Sequence, residues 1–179
     1  TTASAVNQID VTNAATGNAP DIAATGGDTN VDLNFTPKGT GRVTFNGGGA
    51  IQNLTEKCTI AATGTTGTVN YDVKTQAVLY HTANAAGNFT VNLRGDGSTT
   101  LNNIMDTGES LTVAFLVTNG STAYYQSAFQ IDGSSVTPEY QGGSAPSEGN
   151  ANSVDAYTYT VVKTGDAAFT AFASLTQYA

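Results

Sequence analysis

The sequence predicts an all-β chain. Residues 1–50 read as an extended N-terminal arm followed by a β-hairpin, and residues 51–179 as an antiparallel, jelly-roll-like β-sandwich. Three observations carry that expectation. The segment Asp28–Phe35 alternates polar and apolar residues without a break, the mark of a half-buried strand. Thr, Gly, Asn and Ala dominate a chain that is only 39% hydrophobic and has 20 glycines, which suits short strands joined by many turns. From Lys57 onward, short alternating runs recur between turn-forming clusters, while 3.6-residue periodicity is nearly absent.

Each element has its own justification. Residues 1–27 repeat a short phrase, Ala14-Ala-Thr-Gly17 and Ala23-Ala-Thr-Gly26, which returns as Ala61-Ala-Thr-Gly64. Such a stretch buries little by itself and reads as an arm that orders against a partner. In Asp28–Phe35, Asp28, Asn30, Asp32 and Asn34 share one face, and Thr29, Val31, Leu33 and Phe35 the other. Pro37 has no N–H to donate and ends the ladder. Gly39 and Gly41 permit a turn, and Arg42–Asn46 reads as the returning strand. Gly47-Gly-Gly49 marks the boundary.

Strands are then predicted over Thr68–Asp72, Ala77–His81, Phe89–Leu93 and Glu109–Thr118, with one helical turn over Leu101–Met105. Leu111, Val113, Phe115 and Val117 make the apolar face of the strongest strand. Ser127–Asp132 and Val136–Gln141 follow. Gly142–Ser153 has no periodicity and exceeds an ordinary connection, which suggests a crossing or an exposed functional loop. Val154–Lys163 and Ala168–Tyr178 close the chain as a hairpin in which Tyr157 and Tyr159 point inward together.

The formal net charge is −8, and the six basic residues are scattered along the chain. With no basic stripe, nucleic-acid binding is not expected. No apolar stretch reaches the ~20 residues of a membrane span, so no membrane insertion is expected, and no signal peptide is visible. The lone Cys58 allows no internal disulfide and reads as a small residue in a strand. The first residue is Thr1, so either an initiator was removed or the chain begins inside a longer product.

No catalytic, cofactor-binding or metal-binding residue is expected. Asp28-x-Asn-x-Asp-x-Asn34 matches the start of a calcium loop, but Leu33 and Gly39 stand where that loop needs Gly and Glu. His81 is the single imidazole, and no G-x-S-x-G elbow or set of zinc ligands accompanies it. Fourteen acidic residues make some pair of carboxylates inevitable, so their number does not mark a glycosidase. Four Asn-x-Ser/Thr sequons arise by chance in so Thr- and Asn-rich a chain. Tyrosines carry more information: Tyr124, Tyr125 and Tyr140 flank loops, where a rigid ring with a polar tip suits packing, subunit contact or sugar stacking.

The phrase DTNVDLNFTPKGTGRV resembles repeated stem segments of tail-fibre and other virion proteins of marine tailed bacteriophages such as cyanophages. GESLTVAFLVTNGSTAYY, FQIDGSSVTPEYQGG and the C-terminal GNANSVDAYTYTVVKTGDAAFTAFASLTQYA resemble the C-terminal domain of such proteins. The resemblance covers residues 28–43 and roughly 108–179. It implies a non-enzymatic structural component of a virion, a homotrimeric fibre or appendage. Residues 1–50 would attach it to other virion proteins, and an outward sandwich would contact a host-surface glycan or protein. A capsid decoration protein and a carbohydrate-binding module are the alternatives.

Overall fold

The computed structural model describes residues 6–178, so the first five residues of the expected arm and Ala179 lie outside the described residues. The chain divides into two units, Thr1–Ala50 and Ile51–Ala179, just beyond the Gly47–Gly49 run.

In the N-terminal unit, β1 (Asn7–Thr12) and β2 (Asp21–Gly26) pair antiparallel, with Ile9 opposite Ala24 and Val11 opposite Ile22. Between them Asn18 N–H donates to Ala15 O at 3.0 Å across a turn whose third residue, Gly17, has φ +90°. That conformation favours glycine, which is why the Ala-Ala-Thr-Gly phrase turns the chain here. The hairpin thus forms inside the stretch expected to be an extended arm.

The hairpin expected over residues 28–46 does not form. Gly39, at φ +64°, does turn the chain, with Gly41 N–H donating to Lys38 O at 3.0 Å, but among the described residues the flanks form no strand ladder. Val31 and Leu33 are half-buried and Asp32 and Asn34 exposed, so the two-faced pattern persists without a ladder. Alternation assigns faces; a strand also needs a neighbour to take its N–H and C=O groups, and a lone two-stranded ribbon is marginal in water.

The second unit is an all-β sandwich of two sheets. Its strands are β3 (Cys58–Ala61), β4 (Gly67–Asp72), β5 (Val78–His81), β6 (Phe89–Arg94), β7 (Ser110–Thr118) and β8 (Gln126–Ile131). The short β9 (Ser134–Ser135) and β10 (Glu139–Tyr140) follow, then β11 (Val154–Gly165) and β12 (Ala168–Tyr178). The larger sheet has the order β10-β12-β11-β7-β5-β3, and the smaller β4-β6-β8-β9.

Within the sandwich, antiparallel pairing, expected throughout, holds among the described residues for β7–β11, β11–β12 and β8–β9. The pairs β3–β5, β5–β7, β4–β6, β6–β8 and β10–β12 are parallel. From β3 to β8 the chain lays successive strands in alternate sheets. Each strand therefore returns to its own sheet by way of a strand in the other, running in the same direction as the one before. Parallel pairing needs such a crossover, and here the opposite sheet supplies it.

The core lies between the sheets. On β7, Val113, Phe115 and Val117 are buried and Leu111 is half-buried, the face read from the sequence. Phe115 meets Phe89 of the smaller sheet edge-on at 5.7 Å between centroids, Phe89 meets Tyr157 at 5.8 Å, and Phe129 stacks on Tyr159 at 4.7 Å. These aromatic contacts across the sandwich compensate for the small share of large aliphatic residues. The expected helical turn is α1 (Leu101–Ile104), whose N-cap Thr100 accepts from Asn103 N–H. Asp132, left-handed at φ +50°, accepts Leu101 and Asn102 N–H at 2.6 and 3.0 Å, and Leu101 is fully buried.

Candidate functional site

The inward face of β11 reads Asp155, Tyr157, Tyr159, Val161, Lys163, with all five buried. Aromatic and aliphatic residues fill its middle, and a charge stands at either end. Each charge ties down a loop. Lys163 Nζ donates to Asn102 O and Met105 O at 2.6 and 2.9 Å, closing the C-terminal end of α1. At the other end, Asp155 Oδ2 accepts from Asn119 Nδ2 and from Asn150 N–H, each at 3.0 Å.

Asp155 thereby draws together the segment Asn119–Tyr125, which ends in the tyrosine pair singled out in the sequence, and Gly142–Ser153, the loop read there as a crossing or an exposed functional loop. Asn119 Nδ2 also donates to Tyr124 O at 3.0 Å. Backbone bonds from Asn119 N–H to Ser153 O and from Asn152 N–H to Gly120 O fasten the loops edge to edge, at 2.8 and 2.7 Å. Gly149 passes so close that a Cβ there would lie 2.2 Å from Tyr124 O, so only glycine fits. Asp155 is 0% exposed, and burial raises its carboxyl above the usual range, against the pull of its two donors. Asp155 Oδ1 and Asn119 Oδ1 are buried without a hydrogen-bond partner. The site therefore holds more acceptors than donors, which favours a protonated Asp155.

The three tyrosines occupy different settings. Tyr124 is half-buried and packs against the core, beside the Asp155 latch. Tyr125 is half-buried too, and its backbone pairs with the β6 side: Tyr125 N–H donates to Asn88 Oδ1 at 3.1 Å and Tyr125 O accepts Phe89 N–H at 3.2 Å. Tyr140 lies on β10 at the edge of the larger sheet. Its hydroxyl accepts from Gln126 Nε2 at 3.2 Å in a polar cluster where Tyr159 Oη donates to Gln126 Oε1 at 3.0 Å. Gln126 is 2% exposed and joins the sheets through these tyrosines and through Tyr157 Oη, which accepts Gln126 N–H. Burial pushes the Tyr157 and Tyr159 hydroxyls up, so they act as neutral hydrogen-bonding groups. Sequence reading missed Gln126 and Asp155, because neither carries a local motif; a polar residue in phase with an apolar strand face was the available signal.

His81 sits in the core, edge-on to Phe115 at 5.6 Å, with Nδ1 2.7 Å from Thr63 O. Cys58 is in a strand, as read, but is exposed at the sheet edge. Among the described residues, no group of three or more His, Cys, Asp or Glu could hold a metal ion, and no helix is long and apolar enough to cross a membrane. Compared with known proteins, the chain matches no family model, no curated protein and no solved structure.

Proposed function

We propose that the chain is a non-enzymatic structural component of a tailed-phage particle: a trimeric fibre or appendage, attached through residues 1–50, whose sandwich faces outward. One observation supports this above others. The two units differ in how much of their apolar content they bury. The sandwich buries an aromatic core built on Tyr71, Phe89, Phe115, Phe129, Tyr157 and Tyr159, whereas Ile9, Val11, Ile22, Phe35 and Phe45 of the N-terminal unit are 55–73% exposed. A segment that leaves such residues uncovered in an acidic, thinly hydrophobic chain is suited to be covered by a partner. The phrases of residues 28–43 and 108–179 that resemble virion proteins point the same way.

The reading is tested in the particle. Deleting residues 1–27 is expected to leave the sandwich folded and to abolish incorporation; normal assembly of the truncated chain would refute attachment through the arm. Purified protein at micromolar concentration should sediment as a trimer, and a stable monomer would contradict shared burial. Quantitative mass spectrometry of particles then places it. A few tens of copies fit a fibre, several hundred a capsid decoration protein, and none would remove the virion reading.

A further inference from the structure

The outward face of the larger sheet carries a shelf that the sandwich does not need for its own packing. Up to the terminal Tyr178, the outward residues of β12 beside Phe172 are small or polar: Ala168, Thr170, Ser174 and Thr176. Phe172 interrupts them, a large ring left 48% exposed in mid-strand. Its register partners on either side are Thr160 and Glu139. Around it a depression of about 320 Å³ is lined by Glu139, Gln141, Thr158, Thr160 and Ser174. A second depression, of about 420 Å³, shares Tyr140, Gln141 and Ser174 and runs to Ser144 and Pro146 of the Gly142–Ser153 loop. Thr160 Oγ1 is already paired with Thr112 Oγ1 at 2.9 Å. Glu139, Thr158 and Ser174 make no side-chain hydrogen bond among the described residues.

We propose that this shelf binds a neutral saccharide, with one pyranose ring resting on Phe172 and its hydroxyls reaching Glu139, Gln141, Thr158 and Ser174. A pyranose has an apolar C–H face and a rim of hydroxyls. It therefore needs a flat aromatic surface bordered by hydroxyl, amide and carboxylate groups, which is the arrangement here. The joined depressions form an open trough, suited to a chain of sugars rather than one enclosed ring. The lining contains Glu139 and no Lys or Arg, in a protein of net charge −8, so uronic or sialic acids are disfavoured. Tyr140 contributes as a wall only, since its hydroxyl is engaged with Gln126. The proposal names a partner class for the outward-facing sandwich and rests on that reading for its setting.

The test needs no particle, so its failure leaves the virion reading standing, and a failure of incorporation leaves the shelf untouched. The full chain is titrated with neutral tetrasaccharides of gluco, galacto, manno and rhamno configuration, and with tetragalacturonate as the acidic control. Binding is followed by calorimetry and by the aromatic resonances of Phe172. At least one neutral tetrasaccharide should bind saturably in the millimolar range or tighter. Phe172→Ala should weaken it by about tenfold, the scale of one lost stacking contact, with melting unchanged. Phe172→Tyr should retain binding. The proposal is overturned if no neutral tetrasaccharide binds at about 10 mM, tenfold above a millimolar Kd. It is equally overturned if Phe172→Ala binds as the parent does, or if tetragalacturonate binds best.

Discussion

Two segments of this chain, Asp28–Phe35 and β11, sort successive residues onto two faces, and they end in opposite states. β11 is hydrogen-bonded on both sides, to β7 and to β12, and its inward residues are all buried. Among the described residues Asp28–Phe35 joins no strand ladder, and Phe35 is 62% exposed. The pattern sorts side chains onto two faces in both places. What differs is supply: β11 folds where neighbouring strands and a second sheet are present, whereas the described residues of the N-terminal unit form one hairpin, β1–β2. A period-two pattern is thus a statement about faces, and its conversion into a strand depends on partners.

The largest test of that contrast is core truncation. Tyr157→Ala should destabilise the sandwich by about 4 kcal/mol, the usual cost of emptying a buried aromatic site. Phe45→Ala, at a residue 73% exposed, should stay within about 0.5 kcal/mol of the parent. Urea unfolding of both variants decides; comparable losses would mean that the N-terminal apolar residues belong to a folded core after all.

Next in size is the Asp155 latch. Asp155→Ala strips two donors of their acceptor and should cost about 2–3 kcal/mol. Asp155→Asn keeps an acceptor for both. Because burial raises the carboxyl in the folded state, the folded protein holds that proton more tightly than the unfolded chain. Its stabilising contribution is complete below the ordinary value of 3.8 and is lost as pH rises through the elevated folded value. Thermal melts from pH 3 upward should show that decline in the parent, and Asp155→Asn should lack it. A variant that follows the parent curve would assign the pH dependence elsewhere.

Smaller again is the tyrosine pair. Tyr124→Ala should cost roughly 2 kcal/mol, since its ring touches the core, and Tyr125→Ala roughly 1 kcal/mol. Adsorption to host cells measured beside melting separates packing from recognition: a drop in adsorption with unchanged melting would make either ring a receptor contact. The smallest effect on the isolated chain is expected in Asp28–Phe35, which joins no strand ladder. Leu33→Thr should shift monomer stability by less than about 0.5 kcal/mol while weakening association. Sedimentation that is unaffected by this variant would show that the apolar face of residues 28–35 takes no part in assembly.

Much of the sandwich was legible because its signals are local. The inward faces of β7 and β11, the single turn of α1 and the closing hairpin all follow from period and turn chemistry within a few residues. β10 shows the limit. A strand was expected over Val136–Gln141, and only Glu139–Tyr140 pairs with β12: Pro138 has no N–H to donate just before the pairing, and Gln141–Gly143 turns away as a short 3-10 helix just after it. The candidate loops were visible from their composition. Their meeting point was not, since Asn119 and Asp155 are joined by a contact across 36 residues that no short motif announces.

By itself, then, the chain determined its class, its faces and its turns: side-chain period, glycine placement and the lack of helical periodicity are properties of neighbouring residues. The tertiary structure alone decided pairing. It made β3 to β8 parallel by sending successive strands to alternate sheets, and it placed the N-terminal hairpin at residues 7–26 rather than 28–46. It also raised Phe172 onto an open shelf. Hydrogen-bond partners and burial are relations between distant residues, and a strand's own sequence does not say which neighbour will satisfy its backbone or which of its faces will be covered.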